Sequence, residues 1–236
     1  SFTRHGETIE DPYAWLRDPH YPEVTASEVL GYLEAENAYF ENEMKPLRPL
    51  VETIFNEMKG RVKDDDSSVP QKDGDFLYWY AFDKGGDYAK WYRRPVAGGP
   101  DQVILNEPEL AKGHDYFRLG GFGVSPDARL LAYATDTNGS ERFVMRVRDL
   151  ATGQDLPDVI ENWRYGLAWA ADSKSFLYTD ADENWRSKTV WHHRLGDAQS
   201  ADRVVYREPS QEFGVSIGKT QSRKYVAPSR VSSGPS

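Results

Sequence analysis

Cysteine is missing from all 236 residues. That excludes disulfides, zinc–thiolate sites and a cysteine nucleophile, and a reducing, cytoplasmic compartment is the simplest setting. No run of about 18 apolar residues occurs, so no segment is expected to span a membrane. The opening Ser1-Phe2-Thr3-Arg4-His5 lacks both an initiating methionine and the apolar core of a signal peptide, so the natural start is expected upstream. Positive charge is not in excess either. The net charge is −9, and the acidic surplus sits in residues 1–66, with 15 Asp and Glu against 7 Lys and Arg. Such a chain has no basic stripe for a nucleic acid, and its acidic front reads as a solvated helical face.

Aromatic residues are plentiful at 13%, with seven Trp, which suits a β-rich core built on large cross-strand pairs. A repeat organises the middle of the chain. Val124-Ser125-Pro126-Asp127-Ala128-Arg129-Leu130-Leu131-Ala132-Tyr133 returns as Ala168-Trp169-Ala170-Ala171-Asp172-Ser173-Lys174-Ser175-Phe176-Leu177-Tyr178. Asp127 and Asp172, like Tyr133 and Tyr178, lie 45 residues apart. A turn aspartate followed by short strands at this period marks propeller blades.

Residues 1–66 read as an arm and two helices. The arm, 11–22, is rich in proline and aromatics and is expected to pack its rings on a larger surface. Thr25 and Glu28 have the spacing of a capping box, and Leu30, Leu33, Phe40 and Met44 then form an apolar stripe. Pro46 ends that helix. Pro49 suits the first turn of the next, with Leu50, Ile54 and Met58 inward and Gly60 as its cap. Neither stripe can be buried by the other helix alone.

Residues 67–226 read as strands: Phe76–Phe82, Tyr88–Arg94, Val103–Leu105, Leu130–Thr135, Arg142–Asp149, Trp163–Ala170, Ser175–Thr179, Thr189–Leu195, Arg203–Tyr206, Glu212–Ile217 and Lys224–Val226. Asn106–Gly113 reads as an irregular connection. Residues 227–236, with two Pro and four Ser, read as a disordered tail outside any blade.

Several short patterns suggest chemistry, and each has a plainer reading. Gly214-Val215-Ser216-Ile217-Gly218 has the letters of a nucleophile elbow, but an elbow needs a helix after it, and no Asp, Glu or His follows Glu212. Gly214–Thr220 is one residue short of a phosphate loop. His192 and His193 would face opposite sides of a strand and cannot readily share a metal, while His5, His20 and His114 are scattered. Asn138-Gly139-Ser140 is a glycosylation sequon that reads better as a hairpin turn. Asp127 and Asp172 suit turn capping. No catalytic, cofactor-binding or metal-binding residue is therefore expected, and no cofactor.

The assembled motifs resemble those of a known family. Asp11-Pro12-Tyr13-Ala14-Trp15-Leu16-Arg17-Asp18 resembles the opening of prolyl oligopeptidase-family serine peptidases. Asn106-Glu107-Pro108-Glu109-Leu110-Ala111-Lys112-Gly113-His114-Asp115-Tyr116-Phe117 resembles the oligopeptidase B branch of that family, as do Asp136–Glu141, Asp149–Gly153, Trp191–Gly196 and Asp202. The likeness runs from residue 2 to about Val226. It implies a mainly β chain: an incomplete propeller of about two to three blades of a seven-bladed type, after an arm and two helices. It further implies a separate α/β-hydrolase domain, absent from this chain, that would carry a Ser-Asp-His triad and receive the helical stripes. The propeller would admit only short peptides, and oligopeptidase B-like members cut after Lys and Arg. The expected partners are thus short peptides and the hydrolase domain, with no nucleic acid and no membrane. The alternatives are a stand-alone propeller binding module and a truncated, inactive product.

Overall fold

The computed structural model describes residues 1–18, 20 and 24–232. The chain divides into two units, Ser1–Lys63 and Asp64–Ser236.

The first unit opens with a hairpin that the sequence reading did not foresee. Strands β1 (Phe2–Arg4) and β2 (Glu7–Ile9) pair around His5-Gly6. Both loop residues have positive φ, 54° and 84°, which gives a two-residue loop the twist of its strands. In the arm, Trp15 meets the ring of Tyr32 edge-on at 5.3 Å. Pro19, Tyr21 and Pro22 of the expected arm lie outside the described residues.

Helix α1 spans Ser27–Met44 and α2 Arg48–Gly60, joined by a 3-10 turn over Lys45–Leu47. The expected Thr25–Glu28 box is not formed. The N-cap is Ala26, without a side-chain cap of its own. Instead Asp18 accepts the N–H groups of Thr25 (2.6 Å) and Ala26 (2.7 Å) on one carboxylate oxygen and that of His20 (2.8 Å) on the other. An aspartate delivered from the arm thus meets the helix start before the local threonine can. Gly60, expected as a cap, is the last residue of α2, and Arg61 follows in a right-handed conformation. The stripe residues Leu30, Leu33, Phe40, Leu50, Ile54 and Met58 are all exposed.

The second unit is built of blades. The first comprises β3 (Gln71–Asp73), β4 (Phe76–Phe82), β5 (Ala89–Pro95) and β6 (Gln102–Asn106). Trp79 and Tyr92, cross-strand partners, stack at 5.5 Å. The expected irregular connection contains a one-turn helix, α3 (Glu107–Leu110), and its Glu107 accepts the indole N–H of Trp91. Next come β7 (Arg118–Val124), β8 (Leu130–Asp136), β9 (Phe143–Asp149), β10 (Asp155–Trp169), β11 (Ser175–Ala181), β12 (Ser187–Arg194) and β13 (Arg203–Arg207), antiparallel in chain order in one seven-stranded sheet. This sheet is two blades in one. The first half of β10 pairs β9 through Val159 and Ile160, and its second half pairs β11 through Leu167, Ala168 and Trp169. Asn162 and Tyr165, with φ of 60° and 52°, turn the strand between the two halves.

The repeat is visible atom by atom. Asp127 and Asp172 accept the N–H of Arg129 and Lys174 in equivalent turns, whose Ala128 and Ser173 both have positive φ. The Tyr133 hydroxyl donates to Asp155 and that of Tyr178 to Asp202. Between these two blades lies the main core: Ala132, Ala134, Phe143, Met145, Val147, Ile160, Trp163, Trp169, Phe176 and Tyr178. Gly166 is required there, because a Cβ would stand 2.4 Å from Thr179 Oγ1.

Strands β14 (Phe213–Lys219) and β15 (Val226–Ser232) form the hairpin of a further blade, and the sheets do not close into a ring. Here the structure corrects the reading of residues 227–236 as a tail. Residues 227–232 are a strand in continuous register with β14, from Ala227 opposite Gly218 to Ser232 opposite Phe213; 233–236 lie outside the described residues. The anchor is Arg230. Its guanidinium makes two contacts with the buried Glu208, at 2.7 and 3.1 Å, and lies 4.2 Å from the centre of the Phe213 ring. Composition hid this strand because its seven residues pair with β14 along the backbone, with the Arg230–Glu208 pair added, and carry no apolar pattern.

Two expectations follow. Hydrogen bonds from Ala26, His20 and Thr25 outweigh burial and hold the Asp18 carboxyl at about 2, below its ordinary 3.8. A lowered acid stabilises only while ionised, so its contribution is full above pH 3.8 and is lost as pH falls through 2. Protection of the Thr25 and Ala26 amides from hydrogen exchange should fall across that window, and Asp18→Asn should abolish the pH dependence. Arg230→Ala should strip protection from the amides of β15 while those of β8–β12 keep theirs.

Candidate functional site

None of the short patterns assembles a reactive pair. Ser216 stands exposed in the middle of β14, opposite Ser229, and the strand runs on to Lys219 with no helix behind it. That is the wrong geometry for both an elbow and a phosphate loop. Asn138, Gly139 and Ser140 form the turn between β8 and β9, where the buried Asp136 carboxylate accepts the N–H groups of Asn138, Gly139 and Glu141. Thr25, His20 and Asp18 carry the right chemical groups, but hydroxyl and carboxylate meet the same ring nitrogen, Nδ1, so no proton can pass through the imidazole.

The two neighbouring histidines part, as alternation on a strand requires. His192 is half-buried, while His193 is fully buried between two carboxylates. Its Nδ1 lies 2.7 Å from Asp202 and its Nε2 3.0 Å from Asp158. Tyr178 O–H also donates to Asp202, and Gly196 N–H to Asp158. Burial, together with the Asp202 bond, pushes the Tyr178 hydroxyl up, so it stays a donor. In the preceding blade Arg148 stands at the position of His193, donating to Asp155 (2.7 Å) and Tyr133 (2.9 Å). These are blade clasps: each ties the second, third and fourth strands of its blade. Among the described residues no group of three or more histidine and carboxylate side chains is placed to hold a metal ion.

Three arginines outside the clasps, Arg118, Arg142 and Arg164, stand near one end of the blades. That end carries the beginnings of the first strands, Arg118 of β7 and Arg164 of β10, and the loops from second to third strands, 137–142 and 182–186. Arg118 Nη1 lies 2.9 Å from Glu141 Oε1, and Arg164 Nη1 3.4 Å from Glu141 Oε2. Arg142 donates to Asn162 Oδ1 (2.7 Å) and to the Asp182 carbonyl (3.3 Å), both neutral acceptors. Its guanidinium lies 4.8 Å from the centre of the Trp185 ring, and that of Arg164 5.1 Å from Tyr165. Trp185 itself donates to Ser140 O, and Asn162 to Ala181 O, so the two loops and the turn in β10 brace one another. Hydrogen bonding to Glu141 raises Arg118 further. Sequence reasoning missed this cluster. Its arginines are about twenty residues apart, and the one signal available was their position at strand beginnings in successive blades.

The protein-family model described as the prolyl oligopeptidase N-terminal β-propeller domain matches residues 1–233. The match extends past Val226, beyond the motifs quoted above. Dipeptidyl aminopeptidase BI of Pseudoxanthomonas mexicana is 38% identical over 94% of this chain and 33% of its own length. Protease 2 of Moraxella lacunata is 33% identical, with the same coverage. Among solved structures, oligopeptidase B from Leishmania major superposes with a TM-score of 0.85 at 24% identity, over 94% of this chain and 32% of that one. Oligopeptidase B from Trypanosoma brucei, in a closed form with covalently bound antipain, superposes at 0.82 with 28% identity, over 94% and 31%. The chain thus spans about a third of the length of the relatives it matches.

The clasps can be ranked by mutation. His193→Leu leaves two buried carboxylates without their shared donor and should cost about 3–5 kcal/mol. Tyr178→Phe removes one hydrogen bond to a charged group and should cost about 1.5–3 kcal/mol. Urea titrations of the two variants should show that order.

Proposed function

Because this chain belongs to the family of prolyl oligopeptidase N-terminal β-propeller domains, we propose that it forms the gating portion of a serine oligopeptidase. The observation that carries this reading is a single superposition. The chain superposes on oligopeptidase B from Trypanosoma brucei at 28% identity over 94% of its residues and 31% of that enzyme, and the N-terminal β-propeller model matches residues 1–233. In this reading a hydrolase domain supplies the nucleophile, base and acid for acyl transfer. It also covers the apolar stripes of α1 and α2, whose exposed Leu33, Phe40, Leu50, Ile54 and Met58 are costly in water. The propeller then acts by exclusion, passing short peptides to the hydrolase centre. Cleavage after Lys or Arg is the expected specificity. A cytoplasmic setting agrees with a chain that holds no cysteine. Among the described residues no helix is long and apolar enough to cross a membrane.

A reconstitution assay tests the reading. The purified chain should neither cleave a short Arg-containing fluorogenic peptide nor react with a covalent serine-hydrolase probe. Co-expression with a polypeptide carrying the hydrolase portion of a family member should yield a complex that does both. Probe labelling at Ser216 would sink the proposal, and a chain that binds peptides but never the hydrolase portion would favour a stand-alone module.

A further inference from the structure

We propose that Arg118, Arg142 and Arg164 form a recognition site for the free C-terminal carboxylate of a short peptide. The proposal rests on reading the chain as a peptidase gate and adds the chemistry by which that gate selects its substrates. Among the described residues the three guanidinium groups have one carboxylate, Glu141, within ion-pair distance, and only Arg118 and Arg164 use it. Arg142 is satisfied by an amide oxygen and a backbone carbonyl, and among the described residues no carboxylate lies within ion-pair distance of it. Each guanidinium carries five donors, and the contacts described leave several unused. The groups are also held in place. Arg142 and Arg164 lie against the rings of Trp185 and Tyr165, and the Asn162 and Trp185 bonds lock the loops beneath them. Little side-chain entropy remains to be lost on binding, and a planar fork matches a carboxylate in two-point contact. Trp185 and Tyr165 are 39% and 49% exposed, leaving ring surface for the residues preceding that terminus. A chain terminus is a feature that a short peptide presents readily and the interior of a folded protein does not.

The test compares a tetrapeptide acid with its C-terminal amide, titrated into the full 236-residue chain. Binding is read by NMR on the Trp185 indole N–H, identified through Trp185→Phe. The acid should bind about tenfold tighter or more than the amide, and the preference should shrink with added salt. Arg118→Gln and Arg164→Gln should each remove most of the preference. Arg164→Lys, which keeps the charge beside Glu141, should retain part of it, and circular dichroism confirms that each variant is folded. Equal affinity for acid and amide, no binding of either, or an undiminished preference in both Gln variants would overturn the site. Reconstituted activity without an acid preference would sink this site alone and leave the gating role standing.

Discussion

A propeller blade has two faces and can bury them only against other blades, so everything in the second unit depends on packing from blade to blade. Strand β10 makes that dependence covalent. Its first half closes one blade and its second half opens the next, and Trp163 at the junction reaches both. The buried Phe143, Met145, Ile160, Trp169 and Phe176 then fill the space between the two sheets. The bend at Asn162 and Tyr165 sets the angle at which those faces meet, and the same bend aims Arg164 at Glu141. Core and surface site share one backbone feature.

Buried polar groups follow the same logic. A blade's outer strand is also tied by a clasp: Tyr133, Arg148 and Asp155 in one blade, Tyr178, His193 and Asp202 in the next. The replacement of arginine by histidine is balanced by Asp158, which occupies the second ring nitrogen. Such satisfied networks fix which strand pairs with which, and they keep ionisable groups out of reach of any substrate. Arg118 and Arg164 lie outside these clasps, at the end where the first strands begin, and share Glu141 there.

Much of this was legible in the residues. The 45-residue spacing of Asp127 and Asp172 announced the blades, because a turn that needs one carboxylate at one place leaves a mark that chance does not reproduce. The strand Phe76–Phe82 was readable from its aromatics alone. The helix cap was not. Thr25 has the local spacing of a capping residue, yet Asp18, seven residues upstream, makes the bond. Residues 227–232 were misread for the same reason: their composition resembles a linker, and Arg230 becomes an anchor only when Glu208 is buried beside it. The arginine cluster was invisible because Arg118, Glu141 and Arg164 converge only after two blades have formed.

Local chemistry therefore determined the class of the protein: turns, alternating strands, helical stripes in search of cover, and motifs that place the chain in its family. These features are set by neighbours along the backbone, within a few residues of each other. Tertiary structure decided which carboxylate caps the first helix, which arginine binds the last strand, which histidine is buried, and which two arginines meet at Glu141. Each of those outcomes is an electrostatic contact between residues distant in sequence, and its strength depends on burial and separation that no linear pattern encodes.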